Sequence, residues 1–301
     1  MISTQDIARL AASMLAAQDA VRQLLPLTSE RSDFDLPSAY AVADQVMQAR
    51  RRTGAMTVGR KIGFTNAALW EVYAVRQPIW GWMYEHSVVH LAGPAGDAVG
   101  AGGGVGGGVG GGVFGGVLGG VCAGSCRIGR FTEPKIEPEI VLHFHRAPPP
   151  GADEAGVLAC IDWVAHGFEI VQSHFANWRF QVADTVADGG LHGCLVVCSP
   201  VPVAALGDDP IKALARFSLR LSCDGILRDQ GSGANVLGSP LSAVLHLIEV
   251  LADQPGAQAI QAGELITTGT LTMAHPVRAG ERWTTELQGI ALPGLSVGFV
   301  D

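Results

Sequence analysis

At 301 residues, with 48% hydrophobic and only 16% charged side chains, the chain is long enough to bury a sizeable core. A formal net charge of −8, with no basic run beyond Arg50-Arg51-Arg52, argues against a nucleic-acid partner. Asp6 and Arg9 interrupt any early apolar run, so a cytoplasmic protein without a membrane span is expected, with reduced thiols at its six cysteines.

Residues 3–22 read as an amphipathic helix: Ser3 and Asp6 suit its first turn, and Ile7, Leu10, Met14, Ala17 and Val21 form a stripe. A second helix is expected over 37–52, entered at Pro37, with Tyr40, Ala43, Val46 and Met47 on one face. From residue 57 the pattern turns to short strands, expected at 57–64, 86–91, 136–144, 168–173, 192–198, 215–223, 264–272, 282–290 and 295–300. Asp224-Gly225 is a hairpin signal between two alternating runs. Two more helices fit: 153–166, ended by Gly167, and 240–253, where Ser239-Pro240 supplies the cap and the first turn. The fold class expected is therefore α+β, a mixed β-roll or sandwich behind N-terminal helices. A helical cap over 1–75 and a β-roll catalytic domain over 76–301 are the expected division.

Residues 98–126 interrupt that pattern. They carry no charge, and fourteen of the twenty-one residues from Gly100 to Gly120 are glycine. Glycine loses the most backbone entropy on ordering, so a flexible surface insertion is expected. Glycine is also a poor helix former, which weighs against a membrane span here.

Glu137-Pro138-Glu139 lies in an apolar, strand-like run, where residues i and i+2 share a face. Two carboxylates forced together repel and take up protons unless a cation sits between them. Clustered hard oxygens are what Mg²⁺ or Mn²⁺ prefers, and Glu169 in Gly167-Phe168-Glu169-Ile170-Val171 is the candidate third ligand. Glu133 competes for that face, Lys135 is an alternative ion-pair partner, and three solvated carboxylates are the bland alternative. Lys61 sits between glycines on an apolar strand, either solvated or buried with a lowered pKa that lets it trade protons. Arg60 and Lys61 point to opposite faces, so only one faces a site. Among the histidines, His192 occupies a glycine-rich turn that a substrate can approach closely, while His174 and His86 carry no metal spacing. Gly231-Ser232-Gly233 lacks the ending of a phosphate loop, so nucleotide binding is not expected.

In order along the chain, Gly59-Arg60-Lys61-Ile62-Gly63-Phe64-Thr65, Glu137-Pro138-Glu139-Ile140, Glu169-Ile170-Val171, the run Ala183 to Asp188, Val236 to Leu241, and Gly263 to Thr272 resemble one family. It is the 2-keto-4-pentenoate hydratase and 4-oxalocrotonate decarboxylase family of the fumarylacetoacetate hydrolase superfamily. The resemblance covers nearly the whole chain apart from the glycine tract. It implies a mixed β-roll with an N-terminal α/β portion and an Mg²⁺ or Mn²⁺ ion. Glu137, Glu139 and Glu169 match the family's metal ligands, and Lys61 its active-site lysine. His192, Asp188, Thr268 and Thr270 are candidate substrate contacts. The implied activity is a lyase on 2-oxo acids of aromatic meta-cleavage catabolism, hydrating 2-hydroxypenta-2,4-dienoate to 4-hydroxy-2-oxopentanoate. Decarboxylation of 4-oxalocrotonate is the alternative, followed by acylpyruvate-type C–C hydrolysis or a non-catalytic role. The partners implied are a small 2-oxo acid, further copies of the chain in a homo-oligomer, and a pathway partner enzyme. The chain departs from the family at Gln77-Pro78-Ile79-Trp80-Gly81, where an acidic residue before a tyrosine–glycine pair is common, and at Ser239, where histidine is common.

Overall fold

The computed structural model describes residues 2–67, 70, 75–91, 116–118 and 120–301. Helix α1 (Thr4–Asp19) starts where the Ser3 side chain accepts from the Asp6 N–H, and it buries Ile7, Leu10, Ala11, Met14 and Ala17. After the short α2 (Leu27–Glu30), α3 (Leu36–Arg52) is capped by Asp35 and has Pro37 in its first turn. Ala39, Val42 and Val46 of α3 meet the α1 stripe in one apolar cluster, which also takes in Phe175 and Val186. Four helices follow: α4 (Glu154–Leu158), α5 (Val182–Ala187), α6 (Pro210–Arg216) and α7 (Pro240–Asp253). The stretch Gly233–Asp253, which ends in α7, is long and apolar enough on composition to cross a membrane. In the fold α7 instead buries Leu241, Val244, Leu247 and Leu251 in the main core.

The strands form two sheets. The nine-stranded sheet runs β2 (Ile79–Tyr84), β1 (Thr57–Gly63), β12 (Leu265–Thr267), β6 (Lys135–Phe144), β7 (Ile161–Val171), β8 (His192–Val197), β3 (Val88–His90). Two short strands attach to it: β13 (His275–Pro276) on β6 and β9 (Val201–Pro202) on β7. The six-stranded sheet runs β11 (Ile226–Ser232), β10 (Ser218–Cys223), β14 (Arg282–Gln288), β15 (Gly294–Val300), β5 (Val121–Arg127), β4 (Gly116–Leu118). Phe168, Ile170 and Cys194 of the first sheet share the main core with Leu219, Trp283 and Val297 of the second. This is the α+β, two-sheet architecture expected, with the N-terminal helices in place.

Several local expectations are corrected. The helix predicted over 153–166 stops at Leu158, and Ile161 onward belongs to β7, which is hydrogen-bonded to β6 on one side and β8 on the other. Two ladders outweigh a weak helical pattern. Ile79–Tyr84 is a strand that the sequence pattern misses, and the strand predicted at 264–272 ends at Thr267. Beyond it Gly269 takes φ +91, a turn conformation that favours glycine. Most of the glycine tract lies outside the described residues, but its end does not: Val121–Arg127 is an ordered strand paired in parallel with β15. The division expected at residue 75 falls between β1 and β2, which pair antiparallel. Reduced thiols are not found throughout, because Cys122 of β5 and Cys198, the residue after β8, form a disulfide.

Candidate metal centre

Side chains alternate along β6, so Glu137 and Glu139 leave the same face with Pro138 turned away between them. In register across the sheet, Glu137 stands opposite Glu169 of β7, and Glu139 stands opposite Gly167. Directly opposed residues on neighbouring strands lie about 5 Å apart, so the pairing brings a third carboxylate to the first two. Oxygens of all three lie within 4.8 Å of one another, with Glu139 and Glu169 fully buried.

Lys61 reaches this face from two strands away. It is in register with Thr267 of β12, which is in register with Val141 of β6. Its Nζ lies 3.2 Å from Glu169 Oε2 and donates to Gly190 O at 3.0 Å. The glycine turn is fitted to that lysine: a Cβ on Gly190 would stand 2.8 Å from Lys61 Cδ. Arg60 takes the opposite face, fully buried, 3.2 Å from Glu264 and over the Trp82 ring at 4.5 Å.

His192 opens β8 directly after the turn Gly189–Leu191, and its ring is held by hydrogen bonds on both sides. Its Nδ1 lies 2.8 Å from Glu169 Oε1 and its Nε2 lies 2.8 Å from Ser87 Oγ. Asp188 is spent on structure: it accepts from the His174 N–H, pairs with His174 Nδ1 at 2.8 Å, and accepts from Gln18. Thr268 lies on the other face from Thr267, with its hydroxyl on Ile140 O, and the Thr270 hydroxyl donates to Thr272 O. Glu133, the competing carboxylate, caps a different loop through Asn177 and Gln23. Sequence reasoning did not single out Thr65, Ser87 and Thr267. Thr65 closes the motif that begins at Gly59, which was the one available signal for it.

Electrostatics follow from this packing. Burial alone would lower the Lys61 pKa, but Glu169, Glu137 and Glu139 outweigh it and hold the ammonium at about 12. The expectation of a lowered lysine pKa is thus overturned by three carboxylates on one face. Burial raises Glu137 to about 7, with Lys61 opposing and Glu169 reinforcing the shift. Burial, with Glu169 beside it, raises Glu139 well above the usual carboxylate range. Burial works against ionised Glu169 too, yet Lys61 and His192 win and hold it at about 2.

Donor chemistry and unmet polar atoms both fit a divalent cation. Glu139 Oε2 accepts from the Gly269 N–H at 2.7 Å, but Glu139 Oε1 is buried with no hydrogen-bond partner among the described residues. Glu169 Oε2 is likewise buried, with the Lys61 ammonium 3.2 Å away as its counter-charge. Buried carboxylate oxygens without partners are costly, and hard oxygens in a cluster suit Mg²⁺, Mn²⁺ or Ca²⁺. A cavity of about 950 Å³ between α3, β2 and the end of α7 includes Tyr40, Trp80, Trp82, Ser87 and His192 in its wall. The three carboxylates do not line it, and it meets them through His192.

Residues 121–293 match the fumarylacetoacetate (FAA) hydrolase C-terminal family. The chain belongs to this family. The match begins at β5 and takes in all three clustered glutamates. Over nearly the full length, the chain is 28% identical to the 2-hydroxyhexa-2,4-dienoate hydratase of Comamonas testosteroni, covering 90% of this chain and 89% of that relative. It is 26% identical to a 4-oxalocrotonate decarboxylase of a Pseudomonas species, covering 96% of each. Among solved structures, a 4-oxalocrotonate decarboxylase of Pseudomonas putida complexed with magnesium and adipate superposes with a TM-score of 0.82. That match covers 100% of this chain and 99% of the other at 24% identity, so the two share the fold. Members of the wider fold have been crystallised with magnesium, calcium and manganese.

Proposed function

We propose that the chain is a divalent-metal-dependent lyase on 2-oxo acids of aromatic meta-cleavage catabolism. Glu137, Glu139 and Glu169 would hold the metal, and Lys61 would face the substrate. One observation carries the reading: three carboxylates with oxygens within 4.8 Å of one another, two fully buried, with the Lys61 ammonium 3.2 Å from Glu169. A divalent ion there, Mg²⁺ or Mn²⁺, supplies Lewis-acid polarisation of the 2-oxo group.

The reaction favoured is hydration of 2-hydroxypenta-2,4-dienoate to 4-hydroxy-2-oxopentanoate. The dienol ketonises, C3 and C4 are then conjugated to the 2-oxo group, and water adds at C4. The Lys61 ammonium, fixed by Gly190 O and Glu169, binds the substrate carboxylate by charge and offsets negative charge developing at the 2-oxygen. His192 keeps Glu169 oriented by its hydrogen bond to Oε1. The hydratase relatives that align over 90% or more of the chain support this choice. A second reading, decarboxylation of 4-oxalocrotonate, is favoured by a decarboxylase relative that aligns over 96% of the chain. It releases CO₂ and the same dienol, so one site serves either reaction.

The test is direct. Purified protein is titrated with Mn²⁺ and Mg²⁺, then incubated with each acid while dienol absorbance and CO₂ release are followed. Metal binding with turnover of the dienol supports the hydratase, and CO₂ from 4-oxalocrotonate supports the second reading. A protein that binds neither ion, or turns over neither acid when loaded, overturns the proposal.

A further inference from the structure

Two threonine hydroxyls beside the carboxylates have no partner. Thr267 Oγ1 and Thr65 Oγ1 are both buried, with the residues 0% and 2% exposed, and neither has a hydrogen-bond partner among the described residues. Folded chains pair nearly all their buried polar atoms, so two unpaired hydroxyls at one place point to an absent acceptor.

Their positions say which acceptor. Thr267 is in register between Lys61 on one side and Val141 on the other, so its side chain leaves the face that carries Lys61, Glu137 and Glu139. Thr65 follows Phe64, whose φ of 56 turns the chain after β1. It sits against the turn that holds Glu139: a Cβ on Gly269 would stand 1.9 Å from Thr65 Oγ1, and the Gly269 N–H donates to Glu139 Oε2. Both hydroxyls therefore border the carboxylate face, next to an ammonium with donor capacity to spare. Hydroxyl donors flanking a buried cation suit an anion with several acceptor oxygens.

We propose that Thr65 and Thr267, together with Lys61, bind the carboxylate of the 2-oxo acid and make a free carboxylate beside the oxo group a condition of binding. This rests on the functional reading above. It replaces Thr268 and Thr270, whose hydroxyls are committed to backbone carbonyls, as the threonines that meet substrate.

Oxalate, a stable mimic of a 2-oxo acid in its enolate form, is the probe. Its affinity for Mn²⁺-loaded protein is measured by calorimetry for the wild type, Thr65→Val, Thr267→Val and Thr267→Ser. Each valine variant should lose roughly tenfold or more in oxalate affinity, the expected cost of one hydrogen bond to a charged group. Thr267→Ser should bind as the wild type does, and Mn²⁺ affinity should be unchanged throughout. Because neither hydroxyl is paired in the free protein, the valine variants should keep or raise the metal-free Tm. Valine variants that bind oxalate like the wild type overturn the proposal, as does a lowered metal-free Tm, which marks the hydroxyls as structural. A wild-type protein that takes up no Mn²⁺ takes down the functional reading as well. Mn²⁺ uptake with intact oxalate binding in the variants removes this proposal alone.

Discussion

His192 Nδ1 lies 2.8 Å from Glu169 Oε1, so the ring and the carboxylate fix one another. Ser87 holds the far side of the ring at 2.8 Å, which leaves His192 little freedom to turn. Groups that orient a metal ligand in this way are typically worth 10–100-fold in metal affinity. His192→Ala is therefore expected to weaken Mn²⁺ binding by about that factor while the far-UV spectrum stays unchanged. Calorimetric titration checks it, and undiminished affinity would show that Glu169 needs no such support.

Lys61 and a divalent cation at the carboxylates would compete for the same negative charge. Lys61→Met removes the only ammonium within ion-pair distance of Glu169 among the described residues, so Mn²⁺ should bind as tightly as before or more tightly. Turnover should nonetheless fall by about 10²–10³-fold, because charge stabilisation at the substrate is lost. Parallel titration and rate measurements separate the two effects. A variant that loses metal binding together with activity would place Lys61 in structural support instead.

His166 sits between the two sheets, fully buried, with Nδ1 3.0 Å from Glu139 O and Nε2 2.9 Å from Thr285 Oγ1. Nδ1 must donate to the Glu139 carbonyl, and Thr285 Oγ1, which accepts from the Leu295 N–H, has its own proton free to turn to Nε2 of a neutral ring. Burial pushes its pKa down to about 4, although the Glu139 carbonyl resists the shift. Between the unfolded value near 6.5 and this folded value, the unfolded chain binds the extra proton. Stability is thus retained above the unfolded pKa and lost as pH falls towards 4. From pH 7 to pH 5 this one group should cost roughly 2 kcal/mol. Urea unfolding at the two pH values, compared with His166→Gln, isolates it. The same pH dependence in the variant would exclude His166 as the source.

Legibility in the sequence tracked how many faces an element buries. Helices α1, α3 and α7 were readable because each buries one stripe and carries a cap at its start. Strand β7 was only half readable: its end fell in the strand expected at 168–173, but its first part was taken for helix, because every residue from Val164 to Val171 is buried and alternation vanishes. At the site, the shared face of Glu137 and Glu139 followed from their spacing alone, and Glu169 was a candidate from its apolar setting, but its place directly opposite Glu137 is set by strand pairing, which is not written in sequence separation. The upward shift of the Lys61 pKa and the place of Thr267 both depend on the β1–β12–β6 register. Local sequence contains no trace of that register.

The glycine-rich region makes a prediction that reverses the sequence-based one. A flexible insertion over 98–126 should be removable without loss of activity. Strand β5, however, is paired with β15 along Val121–Arg127 and places Cys122 and Cys126 in the core. Deleting 98–126 is therefore expected to abolish cooperative thermal unfolding, since it opens the second sheet at an inner strand. A sharp transition in the deletion variant would show that β15 can serve as an edge.

The disulfide Cys122–Cys198 ties that strand to the end of β8 in the other sheet, at the residue after Val197, across 76 residues of sequence. A cross-link of that span restricts the unfolded chain enough to contribute roughly 4 kcal/mol in the chain-entropy account. Reduction should lower Tm by on the order of 5–10 °C. Cys122→Ser should show the lower Tm already and no further response to reductant. Cys126 and Cys194 face each other between the same two strands with sulfurs 3.7 Å apart, and remain thiols. Alkylation of the denatured, unreduced protein should therefore tag these two and leave Cys122 and Cys198 untagged. If mass spectrometry finds all of these cysteines tagged, and reductant leaves Tm unchanged, the packing of the two sheets alone holds β5 in place.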